Sequence, residues 1–105
     1  MSIKDVHKID GVGISKEEDA LVLMVSDHVK WRNIEKHLDL WKNKLNSYIL
    51  FIEEKQYEEM YKDITFQKFI IEIYCKYEIP EQGKIFLEAV REQIKDLNIL
   101  VRTVV

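Results

Sequence analysis

Apolar and polar residues alternate over residues 69–79. Phe69, Ile71, Ile73, Cys75, Tyr77 and Ile79 share one side, and Ile70, Glu72, Tyr74, Lys76 and Glu78 share the other. A period of two predicts a strand with one buried and one wetter face. Pro80 ends it and suits the position just before or at a helix start. Phe86, Leu87, Val90, Ile94 and Leu97 then recur at three and four residues, predicting a helix over residues 81–97 that Asn98 can close. The Val-rich residues 99–105 predict a last strand. Upstream, residues 20–26 are apolar on both sides, with Leu21, Leu23 and Val25 facing one way and Ala20, Val22 and Met24 the other, the pattern of a central or covered strand. A shorter, irregular strand signal over residues 6–14 holds Val6, Ile9, Val12 and Ile14, with a bend or bulge at Gly11 and Gly13. The polar turn at residues 15–19 joins these two runs as a hairpin.

The longest periodic stretch is helical. Ile34, Leu38, Trp41, Leu45, Tyr48, Ile49 and Ile52 form one stripe. Asn33 can cap its start, with Glu35 favourably placed in the first turn; an earlier start has Asp27 as cap and Trp31 as first stripe residue. No Gly or Pro interrupts residues 31–61. One helix over residues 33–61 would measure ~44 Å at the usual rise, against ~27 Å for an eight-residue strand. The helix therefore either overhangs the sheet or breaks near Glu53. An overhang would present Tyr57, Met60 and Tyr61 as apolar surface, to be covered by the following Ile64 and Phe66 or by another protein.

The element order is β-β-α-β-α-β. It predicts one α+β domain over residues 1–105, with a four-stranded, mostly antiparallel or mixed sheet and two helices on one face. Any crossover between parallel strands is expected to be right-handed.

Composition narrows the function classes. An apolar fraction of 47% beside 33% charge is that of a globular chain. The net charge of -3 argues against nucleic acid, whose binding draws on Lys and Arg neutralising phosphates. No apolar run approaches a membrane span or a signal peptide, so a cytoplasmic protein without a membrane partner is expected.

Candidate chemistry is sparse. His7, His28, His37 and Cys75 show no ligand spacing, so neither a metal nor another cofactor is expected. Cys75 falls on the apolar side of its strand and reads as an inert, buried thiol. Gly11-Val12-Gly13 lacks the third glycine and the following helix of a dinucleotide fingerprint. Glu53, Glu54, Glu58 and Glu59 could make an acidic binding face, but Lys55 and Lys62 at four-residue spacing from Glu59 and Glu58 account for them as an ion-paired surface. Asp27 and His28 emerge at a strand end, where polar site residues often sit. With His37 they are the candidates for acid–base catalysis, without a nucleophile in a recognisable setting. The plainer reading makes Asp27 a helix cap and His28 an exposed turn residue. Trp41 reads as core. Trp31 is either core or an aromatic anchor of an interface.

The segments Ser2-Ile3-Lys4-Asp5-Val6, Ile9-Asp10-Gly11-Val12-Gly13-Ile14-Ser15 and Ser26-Asp27-His28 resemble a family of small, uncharacterised bacterial proteins sharing a domain of unknown function. Tyr48-Ile49-Leu50-Phe51-Ile52-Glu53 and Lys55-Gln56-Tyr57-Glu58-Glu59 extend the resemblance over nearly the whole chain. It implies a bacterial, cytoplasmic, single-domain protein and no activity.

Two functions are thus expected to compete. The first is a non-enzymatic interaction module, binding a protein partner or a second copy through Trp31, Tyr57, Met60 and Tyr61, with toxin-neutralising immunity proteins as one subclass. The second is a small enzyme using Asp27, His28 and His37.

Overall fold

The computed structural model describes residues 2–105. Four strands, β1 (Gly11–Ser15), β2 (Ala20–Asp27), β3 (Phe69–Cys75) and β4 (Ile99–Val104), form a sheet whose spatial order equals the chain order. The β1–β2 hairpin is antiparallel, while β2–β3 and β3–β4 are parallel, so the sheet is mixed. Helix α1 (Ile34–Glu53) links β2 to β3, and α2 (Glu81–Ile94) links β3 to β4. Both helices pack on the same face. Leu21, Leu23 and Val25 of β2, Phe69, Ile71 and Ile73 of β3 and Val101 of β4 meet Trp41, Leu45 and Tyr48 of α1 and Leu87 and Ile94 of α2 in one core. No helix among the described residues is long and apolar enough to cross a membrane.

Local chemistry sets the boundaries. Asn33 caps α1, its side chain accepting from the Lys36 N–H at 3.1 Å. The helix breaks after Glu53 instead of overhanging. The Lys55 N–H donates to the Ile52 carbonyl, and Lys55 is left-handed at φ 56°. The chain then doubles back through a 3₁₀ turn at Gln56–Glu59, which buries Tyr57 against Phe51, Phe66 and Phe69.

Strand β3 stops at Cys75, short of the alternation's end at Ile79, because its partners stop: Tyr74 pairs with Val104, and Cys75 with Asp27. Helix α2 yields to a 3₁₀ turn at Lys95–Leu97, and Asn98 closes it in the left-handed region at φ 58°. The strand signal over residues 6–14 is realised only from Gly11 onward. The preceding residues are turns, because the buried Lys44 ammonium takes the Asp5 and Lys8 carbonyls at 2.5 and 2.7 Å.

The opposite face of the sheet carries no helix. Ala20 and Ile70 are fully buried there with Val22, and Met24 packs beside them. Arg102 crosses this face from β4. It holds Glu72 on the neighbouring strand and forks onto both oxygens of Glu18, in the turn between β1 and β2, at 2.9 and 3.1 Å. Since β2 and β3 lie between those ends, the arginine forms a strap over the small apolar floor. The fork and the cationic charge of Arg102 hold the Glu18 carboxyl below its ordinary value against the opposing cost of burial, and the two carboxylates push the Arg102 value up.

Candidate functional site

The core-facing register of β2 runs Leu21, Leu23, Val25 and then Asp27, so the strand ends by putting a carboxylate where an apolar residue would go. Helix α1 supplies the complement. His37 and Trp41, four residues apart, share the face turned to the sheet. Asp27 Oδ2 accepts from Trp41 Nε1 at 2.7 Å and lies 2.6 Å from His37 Nε2, while Oδ1 accepts from the Val29 N–H at 3.1 Å. A carboxylate can only accept, so the imidazole proton in this bond sits on Nε2. Trp31 closes the cluster. Its ring stacks on His37 with centroids 3.6 Å apart and planes 5° from parallel, and meets Trp41 edge-on at 5.0 Å.

Of the three acid–base candidates, the structure brings Asp27 and His37 together. It leaves His28 exposed in the loop beyond, where Asp27 holds the Val29 N–H and not the His28 ring. The carboxylate–imidazole pair has the contact needed for proton transfer, but the His37 side chain is 2% exposed and that of Asp27 1%. His37 Nδ1 has no hydrogen-bond partner. Cys75, the register partner of Asp27, is buried, and burial first, then the Asp27 charge, push its thiol up to about 12. Among the described residues, no three His, Cys, Asp or Glu side chains gather as a metal site.

A second buried polar cluster lies one helical turn further along α1. Lys44 Nζ, fully buried, bonds Asp10 Oδ1 at 3.0 Å besides the two carbonyls already described. Asp10 Oδ2 accepts from the Ser26 N–H at 2.9 Å. The Tyr48 hydroxyl donates to the Met24 carbonyl at 2.6 Å and accepts from the Asp10 N–H at 2.8 Å. Burial pushes the Tyr48 hydroxyl well above the ordinary tyrosine range. These bonds, with Ile3 seated in the core and its N–H on the Ser26 carbonyl, fasten the amino-terminal segment across the end of the sheet.

The residues expected to bind a partner are dispersed. Trp31 is half-buried, with His37 on one side of its ring and Gly83 of α2 on another. Tyr57 is buried, and Tyr61 is half-buried against Phe66, so the chain itself covers this end of α1. Met60 stays exposed. His37 and Lys44 were the polar residues that the sequence stripe passed over. The spacing His37, Trp41, Lys44, Tyr48, Phe51 runs four, three, four, three, and it marks the face that the helix buries.

Together these features define a two-layer α+β protein with polar latches beneath its first helix. The chain belongs to a family of unknown function (DUF6572), whose model matches residues 1–105. No curated protein and no solved structure matches the chain.

Proposed function

We propose that this chain is a non-enzymatic interaction module of the bacterial cytoplasm that self-associates through the helix-free face of its sheet. The carrying observation is the surroundings of the Arg102 strap. Tyr74 and Val104, register partners on β3 and β4, flank it on one side and Leu100 on the other, each about two-fifths exposed. Exposed apolar residues grouped on one sheet face favour burial against another surface.

A second copy suits this face. Its charges are already matched internally, Arg102 against Glu72 and Glu18, so two such faces meet without net repulsion. The edge of β4 is less open to pairing, since Arg91 Nε donates to the Val101 carbonyl at 2.8 Å and occupies a position an added strand would need. Strand addition at that edge is therefore disfavoured. The rival acid–base reading rests on the Asp27–His37 contact, and it would require Trp31 to leave the imidazole.

Sedimentation velocity from micromolar to millimolar concentration tests the proposal. The wild type is expected to form dimers and the Leu100→Glu, Val104→Glu double variant to remain monomeric. A wild type monomeric throughout that range would overturn it.

A further inference from the structure

We infer that the loop between β2 and α1 forms a binding site for a soluble phosphomonoester. The site lies at the carboxyl end of the parallel strands, where ligands of open α/β sheets bind, and it is separate from the sheet face discussed above. A cavity of about 370 Å³ there is walled by Lys30, Arg32 and Lys36, with Asn33 and His37 between them and Leu40 among its apolar residues. That size is at the lower end for small-molecule pockets.

Charge defines the ligand. The chain as a whole carries -3, yet this wall contains three cations and no carboxylate. None of the three forms an ion pair among the described residues. Lys30 rests over the Tyr77 ring at 5.8 Å, with Lys76 over the same ring at 5.6 Å, so a fourth cation stands nearby. Glu35 and Asp39 lie on the same helix but outside the wall. Such an excess suits a dianion better than a single carboxylate.

Two further features supply directed hydrogen bonds. Asn33, which lines the cavity, takes the N–H groups of Lys36 and His37; those of Ile34 and Glu35 have no acceptor among the described residues at the start of this twenty-residue helix, beside the cavity and not in its wall. The buried His37 ring forms part of the wall, and its Nδ1 lacks a partner while Nε2 is held by Asp27. Nδ1 itself is buried behind the wall, so a ligand reaches it only when the Trp31 loop shifts; it can then accept from a phosphate P–OH or, when the ring is protonated, donate to an oxyanion. The apolar residues of the wall favour an organic group on the phosphate over the bare ion.

The test is a ¹H–¹⁵N NMR titration of the whole chain with inorganic phosphate, phenyl phosphate and tetraglutamate, each at ionic strength matched with chloride. Phenyl phosphate is expected to give saturable shifts at the Ile34 and Glu35 amides and the His37 imidazole, with inorganic phosphate several-fold weaker at the same positions. Arg32→Ala and Lys36→Ala, both at exposed side chains, are each expected to weaken binding about two- to fivefold, the scale of one solvent-exposed ion pair, while the remote Lys8→Ala leaves it unchanged. Shifts that fail to saturate, or that Lys8→Ala reduces as much as Arg32→Ala, overturn the site. Tighter binding of tetraglutamate at the same amides overturns the ligand class in favour of an acidic peptide.

Discussion

The indole of Trp31 lies flat on the imidazole of His37, ring centre 3.6 Å from ring centre. The contact joins a loop residue to the first turns of α1. It makes the tryptophan a cover for the hydrogen bond between His37 and Asp27, and water is kept from the only carboxylate that the β2 core face carries.

Asp27→Ala is therefore expected to cost ~3–5 kcal/mol, because it strands the Trp41 and His37 donors in the core. His28→Ala, at an exposed side chain, should stay within ~0.5 kcal/mol of wild type. Urea denaturation of the two variants measures the contrast. Equal effects would mean that the latch contributes no more than a surface residue.

Gly83 stands in the first turn of α2, where alanine would ordinarily help a helix. A Cβ built there meets Ile79 Cγ2 at 2.6 Å and the edge of Trp31 at 3.3 Å. Gly83→Ala is expected to destabilise by ~1–3 kcal/mol, the usual range for overpacking, which exceeds the ~1 kcal/mol gained in helix propensity. Thermal unfolding decides the sign, and a stabilised variant would show that Ile79 and Trp31 yield freely.

The alternation over residues 69–79 and the stripe on α1 made the element order and the shared helix face readable from the chain alone. The latches were harder to see. Of the two caps the pattern offered, Asn33 takes the role, and Asp27 instead follows the register of β2 and turns its carboxylate inward. Lys44 drew no notice in the sequence, since nothing local to a lysine announces that its ammonium will meet two carbonyls and a carboxylate more than thirty residues earlier in the chain. The break after Glu53 was left open by the pattern, because the left-handed Lys55 that makes it carries no sequence mark of the kind glycine would.

Lys44→Met should loosen the amino-terminal segment before the sheet. It leaves two carbonyls without their donor and the buried Asp10 carboxylate without its cation, with an expected cost of ~3–5 kcal/mol. Limited proteolysis and amide exchange should report the loss first over residues 2–10. Uniform loss over the whole chain would mean that this segment and the sheet open as one unit.

Alkali should weaken the fold through Cys75. Its thiol is held up to about 12, so the folded protein keeps a proton that the unfolded chain releases above its ordinary value near ~8.5. The sign follows: stability is full below that ordinary value and falls as pH rises from there towards 12. Between pH ~8 and ~10 the loss is expected to be roughly 1–2 kcal/mol, and Cys75→Ala should remove most of it. Urea midpoints at the two pH values test this. Tyr48, raised in the same direction, adds to the slope at higher pH.

Because spatial order equals chain order, the sheet can be laid down as the ribosome releases it. The hairpin comes first, α1 then carries the chain to the free edge of β2, and α2 carries it to the free edge of β3. No strand needs to be inserted between two already paired. The hazard of this schedule falls on β2 and then on β3, whose edges each stay open until the next strand has been made, for roughly a few seconds at ordinary rates of synthesis. While β3 waits, Phe69, Ile70, Ile71 and Ile73 line an apolar unpaired edge, and β4 covers it only after α2 has been made.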